Sequence, residues 1–387
     1  MKTQHCDIAV IGGGPVGASL ALALRDSGLQ VCVLESRPAN AASTDARALA
    51  LSYGSRLLLE RIGIWNGLRE ISSIRTIHIS QRRSFGRALL RAAELNVPEL
   101  GYVLPYPVLQ DTLDHALQHG GINAIYNANV TRLQGEENCA TIGYQQNDGE
   151  HMLHTRLAVV ADGGKLLAQQ FPPEIRDYGQ SALITHITCS APLAGMAYER
   201  FTPQGPVALL PFQDGYELVW TAPHSVAQKM LEWDEAQFLD ELQHHFGDRV
   251  GRFLTAGKRT CFPLGLKRAL HHSPMPHTVL LGNAAQTMHP VAGQGFNMGL
   301  RDSWELAQEI LNAAPETLGT DAMLARYRSQ RRTDREAGIR FTDGLVRLFS
   351  NDLPLVSAGR AAALSALDCL PVAKSFVARR MMFGANG

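Results

Sequence analysis

The chain has 387 residues, 36 basic and 36 acidic side chains, and 45% hydrophobic residues. That length exceeds one comfortable core and predicts two domains, or one large domain with an insertion. The balanced charge argues against a sequence-blind grip on nucleic acid, which needs a basic surface. Six widely spaced cysteines without a Cys-x-x-Cys pair predict reduced thiols and no metal site. No uninterrupted apolar run reaches membrane-spanning length. Asp7 and three consecutive glycines argue against reading Ile8 to Leu24 as a signal peptide. A cytoplasmic protein is expected.

Asp7 to Ile11 reads as a short strand running into Gly12-Gly13-Gly14-Pro15-Val16-Gly17, a Gly-x-Gly-x-x-Gly. The spacing predicts a helix over Pro15 to Ser27 and a second strand over Gln30 to Leu34, ending at Glu35. In that context Gly12 allows a tight turn, Gly14 lets a pyrophosphate approach, and Gly17 lets helix and strand pack. Glu35 would accept hydrogen bonds from a ribose. The alternative is a glycine-rich turn with an accidental acid. Next comes a polar loop, Ser36 to Ala48, whose Arg37 and Arg47 are either solvated, as loop arginines usually are, or of use to a bound pyrophosphate, and then a predicted helix over Leu51 to Ile62.

Gln110 opens a further helix, to Gln118. Strands Ala140 to Tyr144 and His151 to Val160 flank a Gln146-Asn147-Asp148-Gly149 turn, and the second ends in Asp162-Gly163-Gly164. Leu183 to Thr188, Ala197 to Phe201, Val207 to Pro211 and Glu217 to Thr221 alternate as antiparallel strands do, forming a roof over a pocket. Trp233 to Leu254 reads as an amphipathic helical stretch. Thr278 to Leu281 is a buried strand leading through Gly282 to Pro290 into Gly293, Gln294, Gly295 and Asn297. There a helix begins and leaves unpaired N–H groups. A tight turn is the plain alternative. The tail, Leu353 to Phe383, is rich in Ala and Leu and ends in Arg379-Arg380-Met381-Met382-Phe383. It reads either as a membrane or partner contact or as a helix covering the nucleotide-binding domain.

The Gly12-x-Gly14-x-x-Gly17 turn with Glu35, Asp162-Gly163, Gly282-Asn283 and the His-Pro-x-x-Gly-Gln-Gly-x-Asn loop resemble, in order and over the whole chain, the class A flavin-dependent aromatic hydroxylases. Ala48 to Arg56 and Gly282 to Thr287 are most similar to the ubiquinone-biosynthesis branch, in particular its 2-octaprenyl-6-methoxyphenol hydroxylases. The resemblance implies an α/β fold. Residues 1–70, 101–180 and 266–340 would form a Rossmann-like FAD-binding domain. Residues 71–100 and 181–265 would form a mostly antiparallel substrate domain, and 341–387 a helical C-terminal segment.

The same resemblance implies FAD, with its ribose on Glu35, its pyrophosphate at Gly12 to Gly17 and Arg47, its ribityl chain near Asn283, and its ring at the Pro290 to Asn297 loop. Arg37, Gln110, Asp162 and Gly163 join the implied cofactor contacts. It further implies NAD(P)H as transient reductant, O2, and a flavin hydroperoxide that hydroxylates a polyprenylated phenol of ubiquinone biosynthesis. The setting would be cytoplasmic and peripheral to the inner membrane. Asn283, Gln110 and Leu166 depart from the family's Asp, Arg and Ser, which keeps open a second reading, an FAD-binding subunit of a pathway assembly that does not turn over. No acid–base residue stands out; Tyr198, Arg200 and His289 are candidates for that role, with a structural role as the plainer reading of each.

Overall fold

In the computed structural model the described residues are 3–43, 45–82, 84–147, 149–289, 293–349 and 354–386. Strand Thr3–Ile11 pairs in parallel with Val31–Leu34 on one side and Gly149–Val160 on the other. Asn123–Ile125 and Thr278–Leu280 extend this parallel core. Helices cover it, so Val31–Leu34 and Thr278–Leu280 are buried along their whole length and read as unbroken apolar runs. Ala140–Gln146 and Asn129–Gly135 add antiparallel strands at the other end. The expected turn carries Asn147 at φ 53°, while Asp148 lies outside the described residues.

A second, larger sheet runs in the order Gln286–Thr287, Thr260–Arg268, Glu174–Cys189, Gly215–Pro223, Gly205–Phe212, Met196–Thr202, Thr76–Gln81, Arg87–Arg91. All its pairings along this path are antiparallel except Met196–Thr202 with Thr76–Gln81. Trp220 packs onto Phe238 in an apolar cluster of its own. The expected architecture is therefore the observed one: a Rossmann-like α/β unit, an inserted mostly antiparallel sheet, and C-terminal helices.

The helix expected to open at Gln110 begins a turn earlier, at Tyr106, after the Pro105 cap, and runs Tyr106–His119. Two other predicted helices change more. Trp233 to Leu254 is not one helix, because Trp233 is extended (ψ 143°) after His224–Glu232 and Asp234 starts a new helix, Glu235–Phe246, by accepting from the Gln237 N–H. Phe253–Ala256 then joins the large sheet as a strand. Leu51 likewise belongs to strand Ala48–Ser52, paired with Gly101–Pro105, and the helix is Tyr53–Arg61. Ser52 sets that boundary by capping Ser55 N. Leu51 fits both the period of the strand and that of the helix, so periodicity alone misplaced it.

The chain closes with helices Asp321–Phe349, Pro354–Cys369 and Pro371–Phe383. No single helix among the described residues is long and apolar enough to cross a membrane, and the last two are bent by 96° at their junction.

Candidate active site

The three fingerprint glycines have different neighbours. A Cβ on Gly12 (φ 105°) would sit 2.6 Å from the Ala161 carbonyl oxygen, and one on Gly17 would overlap the Gly12 carbonyl. Around Gly14 nothing lies within 4 Å. The first and third glycines thus serve the chain's own packing, and the second fronts open space. Gly14 also caps helix Pro15–Ala23 without any side-chain cap, leaving the helix's first N–H groups and its positive end available.

Glu35 is buried beside this loop. It accepts from Gly13 N at 2.7 Å through one oxygen, and from Arg37 N at 2.7 Å and Arg37 Nε at 3.2 Å through the other. Arg37 also reaches Asp114 at 3.3 Å. Gln110 donates to the Gly13 carbonyl at 3.0 Å and to Asp114 at 2.8 Å. The structure therefore gathers Glu35, Arg37 and Gln110 around the glycine loop, with Asp114 as the member that sequence reasoning missed. It lies four residues after Gln110, one helical turn along the same face. Burial raises the Asp114 carboxyl above its ordinary range even with Arg37 opposing. Arg47 stands apart, exposed, paired with Asp45 and 5.2 Å from the centre of the Phe262 ring.

Asp162 turns its carboxylate onto its own loop, accepting from Gly164 N at 2.7 Å, Lys165 N at 3.1 Å and Leu166 N at 2.6 Å. Gly163 fronts open space at φ 80°. This loop adjoins the turn Gly282–Ala284, where Asn283 is exposed.

At the second helix start, Gly293 adopts φ 60° and precedes Gln294–Leu311 with no side-chain cap, and Gly295 has open space beside it. Gln294 donates to the Met381 carbonyl at 3.2 Å. Asn297 is buried and fully engaged inside the protein. Its oxygen accepts from Ser52 N at 2.8 Å and Ser55 Oγ at 2.7 Å, and its amide donates to Ala50 O at 3.0 Å and Gly293 O at 2.6 Å. Its side chain therefore fastens the loop end to strand Ala48–Ser52. Pro290, the expected flavin-facing residue, lies outside the described residues.

Between this loop end, the large sheet and the C-terminal helices lies a cavity of about 270 Å³. Its walls are almost wholly apolar, with Ile79, Leu210 and Val219 from the sheet and Phe349, Leu364 and Met381 from the helices. Of the residues weighed as acid or base, Tyr198 packs its ring against Tyr216 and Phe246. Arg200 is pushed down to about 10 by burial and the nearby Arg249 and Arg82, and His289 down to about 4 by burial. Glu199, between the first two in sequence, lines the cavity and went unnoticed. The alternation that puts Ala197, Glu199 and Phe201 on one face was the signal for it.

The family model described as an FAD binding domain matches residues 5–342. The chain belongs to this FAD-binding family. A 3-demethoxyubiquinol 3-hydroxylase of Escherichia coli is 30% identical over 97% of each chain. The ubiquinone hydroxylase UbiL of Rhodospirillum rubrum is 32% identical over 97% of this chain and 89% of its own. Among solved structures, p-nitrophenol 4-monooxygenase PnpA of Pseudomonas putida superposes with a TM-score of 0.78 over 100% of both chains at 18% identity, a likeness of fold. The protein is thus an FAD-dependent monooxygenase of the ubiquinone hydroxylase family. Its uncapped helix starts, the open flanks of Gly14 and Gly295, and the Glu35 carboxylate beside the glycine loop suit a dinucleotide.

Proposed function

We infer that this monooxygenase hydroxylates a polyprenylated phenol of ubiquinone biosynthesis, in the manner of a 2-octaprenyl-6-methoxyphenol hydroxylase, using NAD(P)H and O2. The observation that carries this reading is the apolar cavity bounded on one side by Gly293, Gln294 and Asn297 and on another by the inserted sheet. FAD, when bound, supplies hydride uptake and oxygen activation. Glu35 would hold its ribose, the N–H groups around Gly14 its pyrophosphate, and Asn283 its ribityl chain. Gly12, Gly17, Arg37, Gln110, Asp162 and Gly163 would shape or flank that cleft, and Arg47 would turn from Asp45 to reach the pyrophosphate. The N–H groups and helix end at Gly293 to Gly295 would offset negative charge at the ring edge, and the apolar walls keep out water.

Aerobic incubation with short prenylphenols and NAD(P)H, followed by product analysis, tests the reaction: a ring-hydroxylated product is expected. Bound flavin that NAD(P)H never bleaches, with or without phenol, would instead favour the subunit that does not turn over. The placement of FAD has a separate test. Gly14→Val fits the free space beside Gly14, so its stability without cofactor should match wild type. FAD affinity should fall by about tenfold or more, since side-chain atoms would occupy the pyrophosphate's path. Equal FAD affinity in equilibrium titration would move the cofactor elsewhere.

A greasy substrate has to be collected from a bilayer or a partner enzyme. Leu370, Val372 and Phe376 are exposed at the bend between the last two helices, with Arg379 exposed further along the same helix. These residues support peripheral contact with an anionic membrane. Val372→Asp with Phe376→Asp should reduce flotation with anionic vesicles, and unchanged flotation would remove the membrane from the proposal.

A further inference from the structure

Glu199 is the one charged residue among the described residues that line the cavity. It sits on strand Met196–Thr202 with its neighbours across the sheet set by register, Ile79 on one side and Ala208 on the other, and Val219 beyond. Ala208 leaves room beside the carboxyl. Phe341 and Phe349, Leu364 and Leu367, and Val377 and Met382 face the cavity from the three C-terminal helices without a charge. Arg360 lies over the Phe349 ring at 5.5 Å, donates to the Leu348 carbonyl, and does not line the cavity. The other carboxyl at this part of the sheet, Glu217, is engaged by the Ala48 backbone. Arg200 belongs to the opposite side of the strand by alternation, and Tyr198, which also borders the cavity, turns its ring to Tyr216 and Phe246.

A carboxyl in such a place costs stability unless something pairs with it. Among the described residues no side chain pairs with Glu199, which is half-buried and lines the cavity. An acid desolvated in an apolar pocket without a partner is what a site of chemistry requires when it needs a base of raised basicity.

We propose that Glu199 is the residue that receives the hydrogen of the substrate's phenol hydroxyl, anchoring the ring and acting as its general base. This rests on the phenol hydroxylation proposed above. The phenol O–H bond breaks as its proton moves to a Glu199 oxygen. The electron pair stays on the phenol oxygen and raises the ring's nucleophilicity. In this step no electrons change owner. When the oxygenated ring becomes aromatic again, its C–H proton leaves to the second oxygen atom of O2, which departs as water, and Glu199 returns the hydroxyl proton to the phenol oxygen. Burial pushes Glu199 up to about 7, so near neutral pH the carboxylate is populated and basic enough to share a phenol proton. Activity should therefore rise with pH through about 7.

The test uses the oxidised FAD-bound enzyme, a short prenylphenol and its methyl ether, with binding read from the flavin absorbance and no reductant present. Wild type should prefer the phenol over the ether by about tenfold or more above neutral pH, the worth of a hydrogen bond to a carboxylate. Glu199→Ala should bind the two alike. In turnover, Glu199→Gln should lose about 100-fold in kcat/KM and lose the rise near pH 7, and Glu199→Asp should recover part of both. Removing the carboxyl should raise Tm more at about pH 8 than at about pH 4, because the folded state disfavours ionised Glu199 and sheds stability as pH climbs from about 4.5 to about 7. This thermal readout separates a folding failure from loss of the base. Variants that still prefer the phenol, or a Glu199→Gln enzyme that turns over as wild type does with the same pH profile, overturn the proposal and leave the reaction standing. Wild type that yields no hydroxylated product defeats the reaction, and the phenol-to-ether comparison then decides whether Glu199 reads the hydroxyl.

Discussion

Asp302→Ala is expected to lower stability by roughly 3–5 kcal/mol, the loss seen when one partner of a buried ion pair is removed. Asp302 is fully buried and holds Arg331 Nε at 2.6 Å and Arg335 Nε at 3.5 Å. Arg331 also reaches Asp334 at 2.6 Å, which binds Arg301 at 2.9 Å. This network of five charged residues locks Gln294–Leu311 to Asp321–Phe349, and Asp334 extends it by accepting from Ala385 N at 2.7 Å near the chain end. With Asp302 gone, two buried guanidinium groups lose an anion. Urea denaturation reads the effect, and Asp302→Leu with Arg331→Met and Arg335→Met should recover much of it, because both guanidinium groups that lose the anion are then replaced by apolar groups while Asp334 keeps Arg301. Burial works to raise the Asp334 carboxyl, yet Arg301 and Arg331 hold it below the ordinary carboxylate range. Its contribution is therefore present above that range and is lost as pH falls through the depressed value, so wild type should resist moderate acid and then lose the helix docking.

Asn297→Ala should cost about 3 kcal/mol and release FAD. It strands Ser52 N, Ser55 Oγ and the carbonyls of Ala50 and Gly293, of which any left buried and unpaired costs about 1–3 kcal/mol. Asn297→Asp keeps the acceptor but sets an anion against two carbonyl oxygens, so it should rescue little. Thermal melts with and without added FAD distinguish the two losses. If the cofactor contacts the Gly293 loop, the FAD-induced gain in Tm shrinks in both variants. A stability loss with an undiminished FAD-induced gain would confine Asn297 to the scaffold.

The parts of this protein legible from sequence are those governed by neighbours along the chain. The Gly12 to Gly17 turn, its flanking strands and Glu35 follow from backbone sterics and a local period. The alternating strands over 183–221 likewise declare a sheet with two different faces. Leu51 and Trp233 show the limit: Leu51 satisfies two periods and is assigned by its partner strand and the Ser52 cap, and Trp233 stays outside a helix because the chain is extended there and Asp234 caps the next one.

Tertiary structure alone decided the rest. Asn297 is engaged with Ser52 and Ala50, some 245 residues away, and Ser52 Oγ donates to Met382 O at 2.9 Å near the chain end. The C-terminal helices therefore wall the cavity. Glu199 stands in it only because five strands from distant parts of the chain set apolar side chains around one carboxyl. Sequence by itself determined the nucleotide-binding frame, because that frame is written in steric rules of consecutive residues. The polar chemistry of the cavity was decided by which distant surfaces meet, since desolvation is a property of everything around a group and not of the group's neighbours in the chain.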